Sequence, residues 1–138
     1  MIDKTSSEGT SPFAYLVPEK YISLKTFRKS GVAVATPIWF AFDPDNDRKL
    51  YFITDENTGK VKRLRNNPRV QLAPCDRAGK VHGPEIEATV AFVPEAERSR
   101  ANAILAKRFG ILYGLIGLIT TIRRAPRTWL EITPSVSA

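Results

Sequence analysis

Between Tyr21 and Thr133 the chain runs as short β-prone segments separated by turn residues, and this punctuation limits its possible folds more than any other feature. Tyr21 to Arg28 carries Ile22, Leu24, Thr26 and Phe27 and reads as a strand. Lys29-Ser30-Gly31 is a hairpin turn, with Gly31 free to adopt positive φ. Val32 to Phe42 is a long second strand, and Asp43-Pro44-Asp45-Asn46-Asp47 is a turn by its chemistry alone. Lys49 to Thr54 makes a third strand, so the three are expected to pair as an antiparallel meander. Further strands are expected at Arg69 to Pro74, Glu85 to Val93 and Arg127 to Thr133. In the fifth, Ile86, Ala88, Val90 and Phe92 share one side and Glu85, Glu87 and Thr89 the other.

Two helical segments interrupt the pattern. Roughly Gly59 to Asn66 forms the first, stopped by Asn66-Asn67-Pro68. Pro94-Glu95-Ala96-Glu97 opens the second, with proline and acids in its first turn, and it is read as running, broken or not, to Arg124. Six strands and two helices with short connections suggest a small β-barrel with helices packed outside. The length of 138 residues fits one domain. Met1 to Pro12 is rich in Ser, Thr and Gly, so a flexible tail is expected over 1–14 and the barrel domain over 15–138. That tail lacks the apolar core of a signal peptide, and a single cysteine, Cys75, excludes an internal disulfide. A cytoplasmic location is the expectation.

Side chains alone support little chemistry. The one histidine, His82, lies beside Gly83 in an expected loop and reads as a surface residue. No His pair or Cys–His spacing suggests a metal, and no serine stands in a G-x-S-x-G context. Glu85 and Glu87 read as a solvated strand face. No catalytic side chain is expected, so an enzyme of this sequence would rely on a cofactor.

Two segments could hold one. After the strand Leu50 to Thr54, Lys60 stands near a helix start, where backbone N–H groups and an ammonium can converge on an anion. A helix advances about 100° per residue, so Arg63 is the nearest same-face neighbour of Lys60. Lys62 reaches the same phosphate only from an open turn or toward a long partner. The other reading is a solvated basic helix. The second segment, Thr36-Pro37-Ile38-Trp39-Phe40, places a proline inside an apolar strand, which marks an edge or a bulge. Its aromatics read either as core or as the wall of a flat ligand's site.

The net charge of +7 suits acidic small molecules, anionic lipid or polyanions, but no nucleic-acid-binding motif accompanies it. The apolar run 109–122, bounded by Lys107-Arg108 and Arg123-Arg124, is shorter than the about 20 residues that span a bilayer. It reads as a tightly packed helix or an oligomer interface, with lipid-surface contact as the minority reading.

Phe27-Arg28-Lys29-Ser30-Gly31 followed by Ala35-Thr36-Pro37-Ile38-Trp39-Phe40 resembles the hairpin of the pyridoxamine 5′-phosphate oxidase-like flavoproteins. Leu50 to Thr54, then Lys60 to Val70, resembles their phosphate-binding segment. Cys75-Asp76-Arg77-Ala78-Gly79 with Gly83 resembles the branch of probable coenzyme F-420 (deazaflavin) dependent oxidoreductases. The resemblance covers Tyr21 to Val93 and the last strand. It implies a mainly β fold with flanking helices, a six-stranded antiparallel split β-barrel of the FMN-binding type. It also implies a homodimer with cofactor sites between subunits and a small organic substrate. Lys60 and Lys62 would hold the cofactor phosphate, Thr54 would lie near that tail, and Thr36, Pro37, Ile38 and Trp39 would line the ring. F-420 is the cofactor implied first, with FMN as the alternative. The turn departs from the usual Asp-Gly, and Gly59 stands where the oxidase proper has an arginine before the lysine. The oxidase's C-terminal substrate-binding motif is absent, which argues against pyridoxine chemistry. Hydride transfer on a flavin-type cofactor is the resulting expectation. A cofactor-binding protein without turnover and a basic protein docking on membrane or nucleic acid are its competitors.

Overall fold

The structure, a computed structural model, describes residues 11–110 and 126–135. Seven strands follow the chain: β1 (Tyr21–Phe27), β2 (Ala33–Trp39), β3 (Ala41–Asp43), β4 (Asn46–Asp55), β5 (Arg69–Cys75), β6 (Ile86–Phe92) and β7 (Arg127–Pro134). Helix α1 (Gly59–Asn66) lies between β4 and β5, and α2 (Arg98–Phe109) follows β6. All pairings are antiparallel, in the order β2-β1-β5-β6-β7-β4-β3.

This order closes the sheet on itself. β2 and β3 are its opposite edges, yet only Phe40 separates them in the chain. Laid flat, seven strands at about 4.8 Å spacing would hold these edges about 29 Å apart. The two Cα steps from Trp39 to Ala41 span at most about 7 Å. The sheet must therefore curl until its edges meet, which gives a barrel with one unpaired seam, a split barrel.

The long strand expected over Val32 to Phe42 is thus two strands, and the count is seven rather than six. The meander is corrected too, because β2 pairs only with β1, while β3 and β4 form a separate hairpin. The break falls at Phe40 because its ring turns into the barrel, where it is fully buried and tilts against Phe42 at 6.0 Å. Both flanks stay extended, so β propensity carries no sign of the change of partner.

Other local expectations hold. Gly31 has φ +92° in the β1–β2 turn, and its N–H donates to the Arg28 carbonyl at 2.8 Å. Pro37 lies in an edge strand, where its missing donor costs no ladder bond. On β6, Ala88 and Val90 face the core.

The barrel interior is filled by Ile22, Leu24, Phe40, Leu50, Phe52, Leu72, Leu130 and Ile132. Phe13, inside the segment read as a tail, is also fully buried there, and the Ser11 hydroxyl donates to the Asp47 carbonyl at 2.7 Å. A second cluster lies outside the sheet, where Ala101 and Leu105 of α2 pack on Ala41, Tyr51 and Val93. Among the described residues no helix is long and apolar enough to cross a membrane. Apart from Phe109 and Gly110, the apolar run 109–122 lies outside the described residues.

Candidate functional site

α1 starts where the strand ladder ends. Thr58 is extended, and its Oγ1 accepts the Val61 N–H at 3.4 Å, which caps the helix. Val61 and Leu64 turn into the core and fix the helix rotation. That rotation leaves Lys62 exposed and Lys60 half-buried.

Lys60 looks into a cleft of about 280 Å³. Tyr21 of β1, Pro37, Ile38 and Trp39 of β2, and Ile53 of β4 form its walls, and Arg77 adds a second cation. These strands meet because the barrel is curled: β2 is at one edge, β4 is next to the other, and the two touch across the seam. Trp39 is fixed on one side by a stacked Phe109 at 4.8 Å and 18°, and Tyr21 tilts against it at 6.4 Å.

Arg77 is carried by a tight loop. Oδ1 of Asp76 accepts the backbone N–H groups of Ala78 and Lys80, both at 2.9 Å. These bonds, that from Lys80 foremost, hold the Asp76 carboxyl below its ordinary range. The loop leans on β2, since a Cβ on Gly79 would meet the Pro37 ring at 3.6 Å.

The cleft is electropositive, with two cations and no acid among the described residues that line it. Burial pushes the Lys60 ammonium below the ordinary lysine value, and neighbouring Arg63 adds to this, while Asp55 partly opposes it. Among the described residues the ammonium has no hydrogen bond or ion pair. A half-buried cation held under like-charge repulsion favours an anionic ligand. A planar ligand with an anionic tail therefore fits the cleft, its ring against Trp39, Ile38 and Ile53 and its acid at Lys60.

The cleft brings together four of the residues expected from the sequence: Pro37, Ile38, Trp39 and Lys60. Thr36, Thr54 and Lys62 are not among its lining residues. Thr36 pairs with Leu24 and Thr54 with Thr128, while Lys62 points away from Lys60 around the helix. Tyr21, Ile53 and Arg77 also line the cleft and are not among the residues expected from the sequence. Arg77 lay within the turn that carries part of the family resemblance, whereas Tyr21 and Ile53 read only as strand residues.

The remaining titratable groups lie elsewhere. His82 Nε2 meets Glu19 Oε1 at 3.2 Å, outside the cleft. Cys75 is buried, and burial pushes its thiol up. Buried Asp43 accepts two hydrogen bonds from Arg100, at 2.8 and 2.9 Å, and one from the Tyr51 hydroxyl at 3.0 Å. Arg100 holds the Asp43 carboxyl well below its usual range, and burial, then Asp43, pushes Tyr51 up to about 12. This group ties α2 to the β3–β4 hairpin. Among the described residues no cluster suits a metal ion.

Comparison with known proteins adds a family. Residues 14–137 match the family described as pyridoxamine 5′-phosphate oxidase. No curated protein matches the chain. Among solved structures, the haem-storage protein HutZ of Vibrio cholerae is similar, at TM-score 0.67 and 14% identity over 90% of this chain and 87% of that one. An FAD-binding protein of Mesorhizobium loti has TM-score 0.58 and 15% identity, over 88% and 83% of the two chains. An F420 reductase has TM-score 0.59 and 19% identity, over 92% and 96%. At these identities the likeness is one of fold.

Proposed function

Since the chain belongs to the pyridoxamine 5′-phosphate oxidase family, we propose that its cleft binds a flavin-type cofactor and that the protein is an oxidoreductase moving a hydride between that cofactor and a small organic substrate. One observation carries the reading: an apolar and aromatic wall, Ile38, Trp39 and Ile53, shares one cleft with a half-buried lysine that has no partner among the described residues. Coenzyme F-420 is the preferred cofactor, because its acidic tail suits a +7 chain and an F420 reductase shares the fold. FMN is the alternative.

Bound there, such a cofactor supplies the hydride chemistry. The residues of the chain bind and orient. Lys60 would hold the phosphate by a charge-assisted hydrogen bond. Trp39, held by Phe109, would set the plane of the ring, and Ile38 and Ile53 would keep water from that wall. Among the described residues no carboxylate, imidazole or thiol lines the cleft, so that lining offers no strong acid or base beyond its two cations. This favours one second reading, a protein that holds the cofactor without turnover. We further propose that two copies associate, with the sites between them. Light scattering at micromolar concentration should give twice the mass of the 138-residue chain, and a monomer would refute the association.

The deciding experiment titrates apo-protein with FMN and with F-420, followed by fluorescence. Binding of either at micromolar concentration supports the cofactor reading, and binding of neither overturns it. Reduction of an acceptor by the loaded protein then separates an oxidoreductase from a carrier.

A further inference from the structure

We propose that Arg63, which does not itself line the cleft, joins Lys60 in holding the phosphate, its guanidinium folded back over Gly59 at the start of α1. The proposal rests on the cofactor reading above and names a residue that reading does not include.

Arg63 lies one turn beyond Gly59, and its side chain runs back toward the helix start. A Cβ built on Gly59 would stand 2.8 Å from Arg63 Nη1, so the guanidinium occupies the space that any other residue at 59 would fill. It is fastened from below. Nε donates to Thr26 Oγ1 at 2.6 Å, and Thr26 is buried in β1, its own hydroxyl within 3.4 Å of the Val34 carbonyl. The bond uses Nε alone. Among the described residues neither terminal nitrogen has an acceptor, so both remain for a ligand in the fork geometry that suits phosphate.

The same cation lies close enough to Lys60 to disfavour its charge. Two cations crowded together with one of them anchored is an arrangement that a shared anion relieves. Lys62, on the other side of the helix, takes no part. By the resemblance, Gly59 stands where the oxidase proper has an arginine, which implies that one phosphate contact is missing. Here the missing guanidinium returns from position 63, through the gap that glycine leaves.

The test compares FMN with riboflavin, which has the same ring and no phosphate. Affinities are measured by fluorescence quenching for the parent, Arg63→Ala, Gly59→Ala and Lys62→Ala. Arg63→Ala should lower the preference for FMN by about tenfold or more and leave riboflavin affinity unchanged. Gly59→Ala should lower it in the same direction, because the new methyl displaces the terminal nitrogen. Lys62→Ala should change it by less than about threefold. A preference retained within twofold in Arg63→Ala, or an equal loss for both flavins, overturns the proposal. If Arg63→Ala does not fold, Gly59→Ala decides. If the parent binds neither flavin, the cofactor reading fails, and Arg63 is judged separately with inorganic pyrophosphate. Pyrophosphate should raise the melting temperature of the parent but not of Arg63→Ala or Gly59→Ala, and any other result refutes the assignment.

Discussion

Replacing Lys60 should have opposite effects on binding and on stability. In the apo-protein the ammonium is half-buried, has no hydrogen-bonded partner among the described residues and is opposed by Arg63. Lys60→Ala therefore relieves a local electrostatic cost, and the melting temperature should stay level or rise. With a phosphate in place, as proposed, the same lysine would make a charge-assisted hydrogen bond away from bulk water. Its loss should cost about 1.5–3 kcal/mol, or roughly ten- to 150-fold in Kd. The loss should shrink as salt is added, since part of it is Coulombic. The pH dependence has a fixed sign. On this reading phosphate binds the charged lysine, so affinity falls as pH rises through its pKa, and that fall should begin below the ordinary lysine value of 10.5. Fluorescence titration at low and high salt, with thermal melts of the same samples, measures all of this. Unchanged affinity at low salt would refute the phosphate assignment. A fall in melting temperature of several degrees would show that Lys60 supports the fold instead.

Three further outcomes follow from the structure. His82→Ala should leave turnover within about tenfold of the parent, because His82 faces Glu19 outside the cleft; a loss of 10²–10⁴ in kcat with cofactor affinity intact would make it the proton donor or acceptor. Asp43, held low by Arg100, contributes stability that is present above the ordinary aspartate value of 3.8 and is lost as pH falls through its depressed folded value. The gap in urea midpoint between parent and Asp43→Asn should thus be constant above about pH 5 and narrow in acid, and a gap independent of pH would refute this. Gly83→Ala should destabilise by about 1–3 kcal/mol, because the new Cβ would stand 2.5 Å from Cγ of the Pro74 ring, which cannot swing aside; equal denaturation midpoints would refute that close approach.

What could be read from the sequence depended on range. α1 was legible in place and approximate extent, because its Asn66-Asn67-Pro68 stop is a local signal. The Gly31 turn and the strand alternation around Ala88 and Val90 were legible for the same reason. The division of the second strand at Phe40 was not, because both halves stay extended and only the partner strand changes. Lys60, Pro37, Ile38 and Trp39 could be grouped because turn chemistry and family resemblance flank each of them. Tyr21 and Ile53 reach the cleft only through curvature of the sheet, which no local pattern records. Arg63 was visible as the same-face neighbour of Lys60, but its tether to Thr26 spans two elements distant in sequence.

The one-residue link at Phe40 also bears on how the chain folds. Neither hairpin it joins can form the barrel alone. β1 must find β5, and β4 must find β7, with Leu50 meeting Ile132 near the far end of the chain. Until both searches succeed, Phe40 tethers two ribbons whose free edges could recruit strands of other molecules. Contacts this distant in sequence place folding on a scale of about milliseconds to seconds, slower than for a helical chain of this length. Because β7 completes the ladder between β6 and β4, a nascent chain shorter than Pro134 would leave both strands with an open edge. Closure of the seam should therefore follow release of β7 during synthesis, because β7 joins the β3–β4 hairpin to the rest of the sheet.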